Sequence, residues 1–100
     1  MKITTNVDGS KATIQPQGKL TVNTAPDLSA AVDKLADNVC DVVLDFENID
    51  YIASAGLRVL VAVDKLTVKR GGSLKLLHPK DEVMEVFEMT GLAEVFDIER

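Results

Sequence analysis

Cysteine is almost absent: Cys40 is the single one in 100 residues. The chain therefore has no internal disulfide and no cysteine-based metal cluster, and this usage suits a reducing cytoplasm. Basic residues are outnumbered, 11 Lys and Arg against 16 Asp and Glu, for a formal net charge of −5. Nucleic acid needs a basic face that displaces counterions, so the balance argues against DNA or RNA as a partner. It argues in the same direction against an anionic membrane surface. Long apolar runs are missing too. The longest, Val59 to Val63, falls far short of the ~20 residues that span a bilayer. Met1-Lys2-Ile3-Thr4-Thr5 holds no apolar signal-peptide core. No membrane insertion is expected, and the expected location is cytoplasmic.

What the chain does have is apolar residues, 46% of the total, recurring in periodic segments from Ile3 to Ile98. That describes one folded domain over residues 1–100 with one continuous core. Ile3 to Val7 and Ala12 to Gln17 are β-branched segments flanking Asp8-Gly9-Ser10, a hairpin turn signal. Pro16 lacks a donor, so the second strand should end or bulge there. Thr24-Ala25-Pro26-Asp27 predicts a helix start with Thr24 as cap. Leu28, Ala31, Val32, Leu35 and Ala36 then form one apolar stripe, and Asn38 closes the helix. Asp41 to Phe46 has the continuous apolar centre of a strand buried on both faces.

Leu57 to Lys69 predicts a buried helix that stops at Gly71-Gly72. Ser73 to His78 predicts another strand, and Pro79-Lys80-Asp81-Glu82 opens a last helix with Val83, Val86, Phe87 and Thr90 facing inward. Val95 to Ile98 is a short strand or a loose end. The order is β-β-α-β-α-β-α: a mixed α/β sheet of four to five strands, an N-terminal hairpin joined to parallel strands with right-handed crossovers.

The stretch that can carry chemistry is Ile49-Asp50-Tyr51-Ile52-Ala53-Ser54-Ala55-Gly56-Leu57. It follows a buried strand through a polar loop to a helix start, where open α/β sheets place their sites. Free amides and the positive helix end there favour a dianionic group at Ser54. Small neighbours, Ala53, Ala55 and Gly56, would let another protein reach the hydroxyl. Taken alone, the commoner role for a serine at that place is an N-cap. Arg58, one turn on, is either a solvent-facing side chain or a group that meets a phosphate or an acidic partner.

Gly18-Lys19-Leu20 with Ala25-Pro26-Asp27-Leu28 resembles the opening of a STAS domain. Asp45-Phe46, Asp50-Tyr51-Ile52 and Ser54-Ala55-Gly56-Leu57-Arg58-Val59-Leu60 resemble that family's central motif. Gly71-Gly72-Ser73-Leu74 and Thr90-Gly91-Leu92 with Val95-Phe96 resemble its closing segments, so the likeness runs through the whole chain. It implies helices packed mainly against one face of the sheet. It also implies an anti-sigma factor antagonist, in which Ser54 falls on the phosphoacceptor position. The implied partners are an anti-sigma factor that is also a serine kinase, with ATP held on that kinase, and a serine phosphatase. No cofactor or metal is implied for this chain.

Ala53, Ala55, Gly56 and Arg58 would shape the partner contact around Ser54, with Thr21, Asn23 and Thr24 forming its other edge. Many family members carry an aspartate where this chain has Ala53, and another where it has Thr21. The alternative the resemblance leaves is a scaffold STAS module, not phosphorylated, within a larger signalling or transporter-linked assembly. Enzymatic activity is not expected. Asp45 lacks the acidic pair of a receiver domain and reads as a loop-entry or capping residue, while Cys40 and His78 lack an orienting third group. Met84 and Met89 read as helix-face and core fillers. A monomer is the expected state.

Overall fold

A computed structural model describes residues 1–100. Its elements are β1 (Lys2–Asp8), β2 (Lys11–Leu20), α1 (Ala25–Asp33), β3 (Asp41–Asp45), β4 (Ile49–Ile52), α2 (Ser54–Lys69), β5 (Leu74–Leu77), α3 (Asp81–Met89), a 3-10 turn (Leu92–Glu94) and β6 (Asp97–Glu99). The sheet has six strands, in the order β1-β2-β3-β5-β6, with β4 attached to β2 off that path. Only β1 runs antiparallel to its neighbour; the β2-β3, β2-β4, β3-β5 and β5-β6 pairings are parallel. The architecture is the mixed α/β domain expected, with one strand more than the four to five counted.

That extra strand is β4, read from the sequence as loop. It is four residues long, and its middle residues Asp50 and Tyr51 are exposed while Ile49 and Ile52 are buried. Polar residues in the middle hide a strand this short from any periodicity argument. β4 exists because β2 is longer than its partner β3. Lys11 to Ile14 pair with β3, and Gly18 to Leu20 pair with β4.

Pro16 sits between those two pairing windows, opposite Ile3 of β1. The strand therefore runs through it, contrary to the expectation that it would end or bulge there. On the side facing β3 and β4 no ladder partner requires an amide at that position. The irregularity comes two residues later, as a register shift between Gly18 and Lys19.

The core is a cluster of 21 buried residues on one side of the sheet. Ala12 and Ile14 of β2, Val42 and Leu44 of β3, and Leu74 and Leu76 of β5 face it in alternation. Leu28 and Val32 of α1, Leu60 and Val63 of α2, and Val83 and Phe87 of α3 close it from the helix side. Phe87 meets Phe96 edge-on, 5.9 Å between centroids and 75° between planes, which pins the C-terminal segment to α3.

β3 is buried on both faces, as expected: Val42 and Leu44 face the core, and Val43 points to the helix-free face, where its in-register neighbours Thr13 and Lys75 shield it. No buried side-chain polar atom lacks a hydrogen-bond partner. No helix is long and apolar enough to cross a membrane.

Two helix ends differ from the sequence reading. α1 stops at Asp33 rather than near Asn38. The chain then descends to β3 through turns in which Leu35 and Val39 stay buried. The Arg70 guanidinium, at the end of α2, donates to the carbonyls of Ala36 (3.2 Å) and Val39 (2.8 Å) and holds that descent in place. Gly72 is packed so closely under Cys40 that a Cβ would lie 1.9 Å from the Cys40 carbonyl oxygen. On α3, Thr90 is exposed and its hydroxyl donates back to Val86, and Met89 is 78% exposed rather than a core filler.

Candidate functional site

The carboxyl ends of β2 and β4 lie side by side. Leu20 is in register with Ile52, and the Ala53 amide donates to the Leu20 carbonyl at 2.8 Å. Two segments far apart in sequence, residues 21–24 and residues 53–54, thus leave adjacent strand ends. All eight residues singled out from the sequence lie on these segments or on the first turns of α2.

The 21–24 segment is held by its own threonines. Thr24 does not cap α1 with its side chain. Its hydroxyl donates to the Lys19 carbonyl at 2.7 Å and accepts from the Thr21 amide at 2.8 Å. The Thr21 hydroxyl in turn accepts from the Asn23 amide at 3.2 Å, and the Thr21 carbonyl accepts from the Ala25 amide at 2.8 Å. The segment is a rigid turn, with Asn23 exposed and Thr21 and Thr24 half-buried.

Ser54 is the first residue of α2, not its cap. Ala53 occupies the cap position in extended conformation, and no side chain closes this helix end. The Gly56 and Leu57 amides both turn to the Ala53 carbonyl, at 2.9 and 3.1 Å, which leaves the Ser54 and Ala55 amides unpaired. An exposed hydroxyl thus stands beside two free donors at the positive end of a 16-residue helix. Arg58 is exposed one turn on, at i+4, on the same helix face.

Gly56 does something other than line the contact. It is buried, and a Cβ there would lie 2.7 Å from Leu20 Cγ and 2.9 Å from Ile52 Cγ1. Glycine lets the first turn of α2 settle onto the two strand ends, and so fixes where Ser54 stands. Ala53 and Ala55 are half-buried and contribute little bulk around it.

Two apolar residues at this edge carried no signal in the sequence reading. Val22, in the threonine turn, is 70% exposed, and Tyr51, in register with Lys19, is 50% exposed. An apolar residue between polar neighbours in a turn is the one trace Val22 leaves in the sequence.

The other candidates are placed elsewhere. Cys40 precedes β3 and His78 follows β5, so in this parallel pair they lie at opposite ends of the sheet. Asp45 accepts from the Glu47 amide (3.1 Å), from Gln15 Nε2 (3.2 Å) and lies 3.2 Å from His78 Nδ1. Burial works against its charge, but the Glu47 amide, His78 and Gln15 outweigh it and hold the carboxyl below its ordinary value. Asp45, Glu47 and His78 could together offer ligand atoms to a cation. Every bond of Asp45, however, is explained by tying three loops at the sheet's end. Lys80, whose hydrogen bond and charge lower the carboxyl of Asp50, secures the start of α3 to β4.

A family profile described as STAS domain matches residues 2–100. The "Anti-sigma-B factor antagonist" of Bacillus subtilis is 33% identical over 100 residues, covering 98% of this chain and 92% of that protein. Among solved structures, an anti-sigma factor antagonist from Mycobacterium paratuberculosis aligns with a TM-score of 0.81 at 25% identity, over 98% of this chain and 86% of that one. The Bacillus cell fate determinant SpoIIAA in its phosphorylated form aligns with a TM-score of 0.75 at 19% identity, over 97% and 90%. That last likeness is one of fold.

Proposed function

We propose, because the chain belongs to the STAS domain family, that it is an anti-sigma factor antagonist switched by phosphorylation of Ser54. Unphosphorylated, it binds an anti-sigma factor that is also a serine kinase and thereby frees a sigma factor. Phosphate on Ser54 breaks that contact, and a serine phosphatase restores it. ATP is bound by the kinase, and this chain supplies the acceptor hydroxyl and a recognition surface without chemistry of its own.

The observation that carries this reading is the exposed Ser54 at the uncapped start of α2, beside the threonine turn at the end of β2. The unpaired Ser54 and Ala55 amides and the helix dipole accommodate a phosphate locally. The same phosphate adds about −1.5 to −2 charges at the centre of a snug protein contact, where repulsion and desolvation oppose binding. A switch of this kind needs both properties together: a modification tolerated by the fold and rejected by the partner. Val22 and Tyr51 supply apolar area next to the serine, and Arg58 supplies charge on its helix face. The name of the Bacillus subtilis relative supports the same reading. Ala53 and Thr21 carry no charge, which leaves recognition to these other groups.

The test is intact-mass spectrometry after incubation with ATP and an anti-sigma factor serine kinase from the same organism, with a Ser54→Ala variant in parallel. A single phosphate adduct on the native chain alone, together with loss of kinase binding, is expected. Binding without any adduct would overturn the phosphorylation switch. Neither adduct nor binding would replace the whole reading with a scaffold module.

A further inference from the structure

β1 is an edge strand. It pairs with β2 on one side over all seven residues and has no partner on the other. Beside it runs an apolar groove of about 670 Å³, floored by Ile3, Thr5 and Val7 and walled by Ala30, Ala31 and Leu35 of α1. Val7 is 56% exposed in it. Natural edge strands are usually blunted by charge or proline, because a free row of amides and carbonyls invites another strand. Here the charges sit only at the two ends, Lys2 and Asp8, and they are of opposite sign.

From this we infer that β1 is a homodimerisation edge, pairing antiparallel with β1 of a second copy about a two-fold axis at Thr5. In that register Thr5 faces itself, Ile3 faces the partner's Val7, Thr4 faces Asn6, and Lys2 faces Asp8. Every residue of the strand is used, and both ends become opposite-charge cross-strand pairs. Shifting the register by two residues either way removes both charge pairs and shortens the ladder. Shifting it by one would set the apolar row of one copy on the polar face of the other.

The two-fold axis stands perpendicular to the joined sheets, so the helices of both copies lie on the same side. The two grooves then merge over a shared floor of Ile3, Thr5 and Val7 from each chain, with the two α1 helices as walls. One occupant, a second copy, thus pairs the open edge and continues the groove's apolar floor, in place of the monomer expected from the sequence. A seven-residue strand pair is a small interface, so the dimer is weak and concentration-dependent. β2 separates β1 from β4, which leaves the Ser54 surface free in the dimer.

Sedimentation velocity over a concentration series into the millimolar range tests this on the whole chain, whose monomer mass is 10.8 kDa. The expected result is a rise to twice that mass. Lys2→Asp weakens the association about tenfold, from two lost pairs and two new repulsions, and adding Asp8→Lys restores it. Asp8 also faces Lys11 within the hairpin, so a second measurement guards against a folding defect in that variant. In a Cys40→Ser background, Thr5→Cys should oxidise to a covalent dimer much faster than Asn6→Cys, because residue 5 alone meets its own copy. A monomeric chain throughout the series overturns the proposal. So does a dimer that Thr5→Cys fails to lock, and either result would leave the groove to a different partner.

Discussion

Ser54 and Gly56 lie two residues apart and answer to different forces. Ser54 faces solvent at a helix start with free amides, so negative charge there is favourable to the fold and adverse only to a partner. Ser54→Asp is therefore expected to leave stability unchanged or raise it by ~0.3–1 kcal/mol, while abolishing capture of the kinase. Urea unfolding and a pull-down on the same sample separate the two effects, and a destabilised Ser54→Asp would contradict the geometry of the site. Gly56→Ala should do the reverse. Alanine is the better helix former by ~0.5–1 kcal/mol, but its Cβ would press on Leu20 and Ile52, both buried. Overpacking of that kind costs ~1–3 kcal/mol, so a net loss of ~1–2 kcal/mol in urea unfolding is expected. At this scale the sequence announced Ser54 through its small neighbours and its place before an apolar helical run. It could not announce the inward role of Gly56, which depends on two strand ends meeting beneath it. Thr24 was legible as a helix-start residue, but its hydroxyl serves the turn rather than the helix.

Among the elements, those built on repeated burial were legible and those built on borrowed partners were not. α2, β3 and β5 declare themselves by unbroken or periodic apolar residues, and each stands within a few residues of its expected bounds. β4 has two buried residues and no alternation, so only the surplus length of β2 explains it. Pro16 misled for the same reason, because a missing donor matters only where a neighbour needs it. The early end of α1 rests on another borrowed partner, Arg70. Its guanidinium bonds two carbonyls 31 and 34 residues away, in the turns that follow the shortened helix. Arg70→Ala should cost ~1–2 kcal/mol, and Arg70→Lys should recover part of it, since one ammonium can stand in for the Nη1 that bonds both carbonyls but lacks the second nitrogen that lies 3.7 Å from Asp37. The check is hydrogen exchange: protection should fall in residues 34–40 before it falls in the sheet. Uniform loss across the domain would mean that Arg70 acts through the core instead.

For the molecule as a whole, the response to acid should run through Asp45. This carboxylate joins β2 through Gln15, the start of the β3-β4 loop through the Glu47 amide, and the β5-α3 connection through His78. Its side chain is only 12% exposed. Those contacts favour the ionised form and together exceed the opposing effect of burial, so its folded value lies below its unfolded one, near 3.8. A carboxyl shifted downward stabilises the fold in full above the unfolded value, and that contribution is lost as pH falls through the folded value. The exposed Asp50 shifts in the same direction through Lys80 and adds to the same acid limb. Asp45→Asn keeps the shape and removes the charge, so the stability gap between native and variant should be constant well above the unfolded value near 3.8 and close as pH falls below it. Urea midpoints measured across that range decide it. A gap that stayed constant to the lowest pH would show that Asp45 holds the three segments by neutral hydrogen bonds alone.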